Sequence, residues 1–398
     1  MTGVSMGVLR LRGADALTTG EPTLSPERKE EMLRLIAANR PSRLPKLPAD
    51  FNRRVGSTHV AGKYHLTNKP FLIEGAEKLL ELGTRLGKFW LIPRGIEGSY
   101  PFNSKWDKHD TLVSLARSDY FAQLLGMPFQ TLLFEAHAPP EEGWKKEGLP
   151  DSFYQRVTEE FYQLTAHLYR TCRDREVTII LQHWEGDWFM RGAGQMWNPP
   201  PPDWQATCER MQRWLTARQA GVTKARAEFG VGAKCRVAHA AEVNRVIDGW
   251  KGVPTMTRNV LPGVELDLVS YSSYDGMKDG LTLWRCIEDI RRHARTGPLF
   301  GPGAVFVGEI GLPENEQKKP IAERWDEWLG ALLAANVPYV AQWELFCNEF
   351  NPKLPAKPKT PITNPSDVRG FWLVKPDGSR SESGKYFESL WRRAAQAG

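Results

Sequence analysis

The sequence has only five cysteines in 398 residues, Cys172, Cys208, Cys235, Cys286 and Cys347. They are far apart and odd in number, and none forms a C-x-x-C pair. That excludes a zinc knuckle or dithiol motif and argues against a disulfide framework. The five are expected to pack as small hydrophobes of a reducing compartment. No apolar run reaches about eighteen residues, and "MTGVSMGVLRLRGADALTTG" at the start lacks the unbroken apolar core of a secretion signal. A cytoplasmic protein without a membrane span is the expectation. The net charge is +6, and Lys and Arg are scattered rather than bunched with exposed aromatics, so nucleic acid is not an expected partner. No G-x-G-x-x-G follows the early apolar runs, which removes the usual marker of a dinucleotide-binding sheet.

What is present is a globular composition, 41% hydrophobic and 25% charged, with fifteen tryptophans. Residues 1–54 read as an N-terminal arm with one helix. In "SPERKEEMLRLIAANR", Ser25 suits the N-cap, Pro26 the first helical position, and Met32, Leu33, Leu35 and Ile36 form an apolar stripe. From there to residue 398, short apolar runs alternate with long amphipathic ones. The candidate strands are "THVAGKYH" (58–65), "KFWLI" (88–92), "QTLLFEA" (130–136) and "VTIILQHW" (177–184), then "KCRVAHA" (234–240), "LDLVSYS" (266–272), "AVFVGEI" (304–310) and "PYVAQWE" (338–344). Most are continuous apolar runs, as parallel strands covered on both faces should be. Eight of them separated by helices predict an α/β fold, a (β/α)8 TIM barrel in a single domain. A Pro- and Lys-rich loop over 352–366 precedes the closing helix.

In such barrels the functional groups sit at the C-terminal strand ends. Applied here, that rule selects Glu185 after the fourth strand and Glu309 at the end of the seventh, with Glu135 and Glu242 as alternatives to Glu185. Strict alternation predicts that Leu181, His183 and Glu185 share an inward face, as do Val305, Val307 and Glu309. Two carboxyls across one cleft can divide glycosidic bond cleavage, one protonated as acid and one ionised as nucleophile or base. Trp184 and Trp188 beside Glu185 should raise its pKa, and Gly308 and Gly311 leave space around Glu309. Trp90, Trp188, Trp197 and Trp343 are candidate sugar platforms, and Arg94 a candidate partner for hydroxyls or a carboxylate.

These stretches resemble clan A of the retaining glycoside hydrolases. "FVGEIG" is similar to the clan's strand-seven nucleophile turn. "DLVSYSSYD" resembles its strand six, where Tyr274 falls on the tyrosine that contacts the nucleophile, and "VAQWELF" its strand eight, where Trp343 falls on the tryptophan under the cleaved sugar. "GFWLVKPDGSRSESGKYFESL" is similar to the lead into the last helix. The resemblance implies Glu185 as acid/base, Glu309 as nucleophile, a carbohydrate substrate, hydrolysis with transglycosylation as a side activity, and no cofactor. Where the clan usually carries Asn before the acid/base, this chain has Trp184, so His183 or Asn244 is expected to take over the sugar 2-hydroxyl.

Two other readings remain open. His137, His183 and His239 end three successive strands, as in a metal-dependent barrel hydrolase, although neither H-x-H nor H-E-x-x-H occurs. A glycan-binding barrel without turnover is the other, because fold alone does not prove catalysis.

Overall fold

A computed structural model describes residues 20–141 and 143–397. Eight parallel strands close a barrel: β1 Val55–Thr58, β2 Leu86–Leu91, β3 Thr131–Ala136, β4 Thr178–Gln182, β5 Arg236–Val243, β6 Leu268–Ser272, β7 Val305–Gly311 and β8 Val340–Trp343. Sequential strands are neighbours throughout, and β1 pairs with β8 to shut the ring. The predicted (β/α)8 barrel is therefore present.

The outer layer includes α1 Pro26–Ala38, α2 Phe71–Leu82, α3 Asp119–Gly126, α4 Asp151–Cys172, α5 Trp204–Phe229, α6 Gly280–His293, α7 Ile321–Ala334 and α8 Glu382–Ala397. The β5–β6 connection departs from the expected rhythm: in place of a long α-helix it has the short helix Val246–Trp250, a helical stretch over 256–263 and a two-residue strand, Glu265–Leu266. In the arm, α1 starts as predicted, with Ser25 accepting a hydrogen bond from Arg28 N. Its Met32 and Ile36 are buried, and Ile36 O passes so near Gly330 of α7 that a Cβ there would lie 2.8 Å away. Residues 1–19 of the arm lie outside the described residues. Among the described residues, no helix is long and apolar enough to cross a membrane. All five cysteines are buried and free.

The first strand lies upstream of its predicted place. Val55–Thr58 is short and made largely of Gly and polar residues, so it carries little strand signal; it is selected by packing. A Cβ on Gly56 would lie 2.1 Å from Leu86 O, so only glycine lets β1 approach β2. Val60 and Tyr64, which gave the predicted strand its apolar character, are buried in the loop beyond it. Lys63 and His65 consequently end no strand.

The inward phase also differs from simple alternation. Gln182 faces the barrel axis beside Glu135, its register partner, so Leu181 and His183 face the helices. On β7, pairing runs Ser270 with Phe306 but Ser272 with Glu309, and Val340 with Val307 but Gln342 with Ile310. The strand thus holds one extra residue against both neighbours, a bulge that points Gly308 and Glu309 inward together. Val305 and Val307 lie on the outer face. Gly308 is the residue that makes this possible: a Cβ there would meet Ser270 Oγ at 2.0 Å and Glu242 Oε2 at 2.8 Å. Gly308→Ala is expected to destabilise the fold by about 1–3 kcal/mol through overpacking, read as a lower urea midpoint with unchanged slope.

Candidate active site

At the C-terminal mouth, the ring places charged side chains where a barrel usually has aliphatic layers. β2 contributes Lys88, β3 Glu135, β5 Glu242 and β7 Glu309, all at most 4% exposed. Carboxylate oxygens of the three glutamates lie within 4.8 Å of one another. Lys88 Nζ sits among them, 2.7 Å from Glu135 Oε1, 3.4 Å from Glu309 Oε2 and 3.9 Å from Glu242 Oε2, and donates to Gly308 O at 3.1 Å. A buried charge must be paired or neutralised, and one ammonium cannot pair three carboxylates.

Glu242 is the best-supplied acceptor: it takes hydrogen bonds from Gln182 Nε2 (2.7 Å), Ser270 Oγ (2.7 Å) and the Glu185 N–H (2.9 Å). The last of these brings in the fourth glutamate. Glu185 follows β4 by three residues with φ of 27°, a conformation rare for a residue with a Cβ and a mark of local strain. This turn carries Glu185 to the axis although strand phase alone would not. Gly186 permits it, since a Cβ there would lie 2.3 Å from Glu242 O. Asp187 anchors it by accepting from the backbone of Asn244, Arg245 and Met256. The carboxyl of Glu185 accepts from Ser272 Oγ at 3.0 Å.

Burial, followed by the charge of Glu242, pushes Glu185 up to about 8. Burial first, opposed by Lys88, raises Glu135 to about 7. Glu309 is also raised well above its usual value, by burial first, then by Glu185 and the other glutamates, against the pull of Lys88. The hydroxyl of Tyr274, in the turn after β6, faces Glu309, and the residue is 37% exposed at the mouth. Trp343 ends β8 beside Gly311 of β7, a buried residue next to the same carboxylate. Trp90, level with Glu135, is half-buried and its indole Nε1 has no hydrogen-bond partner among the described residues.

The other sequence candidates are placed differently. His183 packs outward against Trp214 of α5, ring centroids 5.3 Å apart. Its Nδ1 faces Trp184 O at 3.2 Å and its Nε2 accepts from Glu242 N, so both nitrogens serve the backbone and neither remains for a sugar hydroxyl. Asn244 Oδ1 accepts from Asp187 N (2.9 Å) and Trp188 N (3.4 Å), which commits the amide oxygen to the turn. Neither residue replaces the missing Asn; at the end of β4 it is Gln182 that presents an amide to the carboxylates. Trp188 is half-buried under Arg245, whose guanidinium carbon is 4.9 Å from the ring centroid, and Arg94 is exposed beyond β2.

The three strand-end histidines do not converge as a metal set. His239 faces α5, where Arg218 Nε donates to its Nε2 at 3.2 Å. Burial lowers His137 to about 3 and holds His183 and His239 well below the usual range. Arg218 itself is fully buried behind the site and donates to Ala136 O (2.8 Å) and Gln182 O (3.1 Å), tying the ends of β3 and β4 together. The carboxylates Glu135, Glu242 and Glu309 are close enough to hold a cation, but Lys88 Nζ already serves as their counter-ion.

Sequence reasoning missed Lys88, Gln182 and Arg218. The available signal for the first was an ionisable residue inside an apolar parallel strand, which must be paired if it points inward.

No family model matches the chain, and no curated protein is similar enough to count as a relative. Solved structures are similar at the level of the fold. A family 1 β-glucosidase from Thermotoga maritima superposes with a TM-score of 0.52 at 11% identity, over 88% of this chain and 99% of that one. The AHE enzyme from Alicyclobacillus herbarius gives 0.50 at 12% identity, over 89% of this chain and 99% of that one. Bacteroides uniformis β-glucuronidase 2, solved covalently bound to cyclophellitol-6-carboxylate aziridine, gives 0.50 at 9% identity over 85% of this chain; the match spans 35% of that longer protein. What this chain shares with all three, at such identities, is the barrel.

Proposed function

We propose that the protein is a retaining glycoside hydrolase acting on a glycosidic bond of an oligo- or polysaccharide. The observation that carries the reading is the meeting of Glu185 and Glu309 in one buried carboxylate cluster at the C-terminal mouth, with Tyr274 on Glu309. Both carboxyls are pushed upward, so the pair retains a proton near neutrality. The donors decide where it resides. Lys88 and Tyr274 both favour the charged form of Glu309, whereas Glu185 has one neutral donor, Ser272 Oγ, and only a weaker pull from Lys88. Glu185 therefore holds the proton and Glu309 the charge.

In this reading Glu309 attacks the anomeric carbon while Glu185 protonates the departing oxygen. Glu185, now ionised, then takes a proton from the water that releases the sugar from Glu309. Transglycosylation follows when a second sugar hydroxyl replaces that water. Tyr274 orients the nucleophile, and Trp343 and Trp90 form the apolar surfaces for sugar faces. Arg94 meets hydroxyls or a carboxylate farther out.

The test is a panel of activated aryl glycosides, with the first-formed product anomer followed by NMR. Retained configuration at the anomeric carbon is expected, with rates unaffected by chelators. Inversion would remove the double displacement, loss on chelation would favour the metal reading, and binding without release of reducing sugar would favour a glycan-binding barrel.

The pH profile offers a second check. Loss of the Glu185 proton places the basic limb of kcat/KM near pH 8. Glu242→Gln removes a negative neighbour that raises this pKa, so the limb is expected to move acidward. A limb that stays in place would separate it from Glu185.

A further inference from the structure

The opposite end of the barrel carries charged side chains beside its apolar ones. It opens into a cavity of about 930 Å³, walled by the starts of β3, β4, β5, β7 and β8 and by the segment leading into β1. Five basic side chains line it, Arg53, Arg54, Lys234, Arg236 and Arg291, against two acidic ones, Asp50 and Glu176. Several of these cations are only loosely satisfied. Arg53 is 54% exposed and reaches Asp50 at 3.6 Å. Arg236 and Lys234 are exposed, and their side chains have no hydrogen-bond or ion-pair partner among the described residues. Arg54 is held over the cavity by Val337 O at 2.7 Å.

The charges converge on one point. Tyr339, just before β8, faces Thr178 at the start of β4, across the ring. Burial raises its phenol pKa, and Arg236, Arg53 and Arg54 all act against that rise, so three guanidinium groups from two segments lie near one hydroxyl. Phe300 stands edge-on to the Tyr339 ring, centroids 6.4 Å apart, and gives the cavity one apolar side. Closing a barrel core requires none of this: like charges around a concavity repel unless an anion joins them.

We propose that this cavity binds a phosphorylated small molecule carrying at least two negative charges. Guanidinium forks match phosphate oxygens, and the volume falls within the range of small-molecule pockets. A concave wall favours a compact ligand over an extended polyanion. The proposal does not depend on the glycosidase reading, since the carboxylate cluster lies at the other end of the strands.

The experiment is isothermal titration of the full chain with inorganic pyrophosphate at low ionic strength. One molecule per chain is expected to bind, more weakly as salt is raised. The double variant Arg53→Gln/Arg236→Gln should bind at least about tenfold more weakly, because each lost charge-assisted contact is worth that much. Glu309→Gln should bind like the unmodified protein. No heat at about 1 mM pyrophosphate, or equal affinity in the double variant, would overturn the proposal. Tighter binding of a DNA oligonucleotide that is lost in the same double variant would also overturn it, in favour of an extended polyanion.

Discussion

Glu309→Gln is expected to lower kcat on any accepted glycoside by about 10⁴-fold or more, in line with the loss of other catalytic nucleophiles. The substitution keeps the shape of the side chain and an oxygen for Tyr274 to donate to. What it removes is the negative charge that Lys88, 3.4 Å away, supports. Because the amide oxygen cannot displace a leaving group at a useful rate, the first step stops. Substrate affinity should change far less than kcat, since the residue's contribution is made in the transition state. Glu309→Gly with azide extends the test: a small anion in the vacated space should restore turnover and leave as a glycosyl azide of inverted configuration, a single displacement. Undiminished kcat in the Gln variant would remove Glu309 as nucleophile and turn attention to Glu135 and Glu242.

Lys88→Met carries the second large effect, on stability as well as activity. Removing one member of a buried ion pair typically costs about 3–5 kcal/mol, because the partner is left charged in a dry site. Here the partners are three carboxylates. Lys88 pulls the pKa of both Glu135 and Glu309 down against burial, so without it both rise further. The linkage follows from that sign. A carboxyl whose folded pKa exceeds its unfolded value costs nothing below the unfolded value, and stability is lost as pH rises through the folded one. For Glu135 and Glu185 that window runs from about 4.5 up to about 7 and about 8. The variant should therefore lose most stability on the alkaline side, and the acid limb of kcat/KM, set by ionisation of Glu309, should move to higher pH. Urea midpoints and rate profiles across that range measure both. A midpoint within about 0.5 kcal/mol of the parent, the scatter of neutral surface changes, would mean that the cluster does not rely on its cation.

The barrel was legible because its cause is periodic and local: apolar runs spaced by amphipathic helices leave few alternatives. Glu185 and Glu309 stood out because a carboxylate closing an apolar run is conspicuous. The manner in which each reaches the axis was not legible. Alternation assigns Glu309 an inward phase together with Val305 and Val307, yet those valines face outward and the bulge at Gly308 resets the count. Glu185 arrives through a left-handed turn that depends on the carbonyl of a neighbouring strand. Both are tertiary facts, set by what lies across a gap rather than by the residues beside them. The same limit explains His183 and Asn244, whose polar atoms are consumed by backbone groups distant in sequence. Lys88 was hidden by position: at the edge of "KFWLI" it reads as the solvated start of a strand, when β2 in fact begins two residues earlier.

The ammonium of Lys88 comes from the second stave, and the acids it balances come from the third, fifth and seventh. No contiguous half of the chain contains the whole set. A fragment ending after β4 would keep Lys88 with Glu135, and the remainder would hold Glu242 and Glu309 with no counter-ion between them. The two halves must therefore meet before all three acids share a cation, and the acids would acquire their working protonation only once the circle is whole.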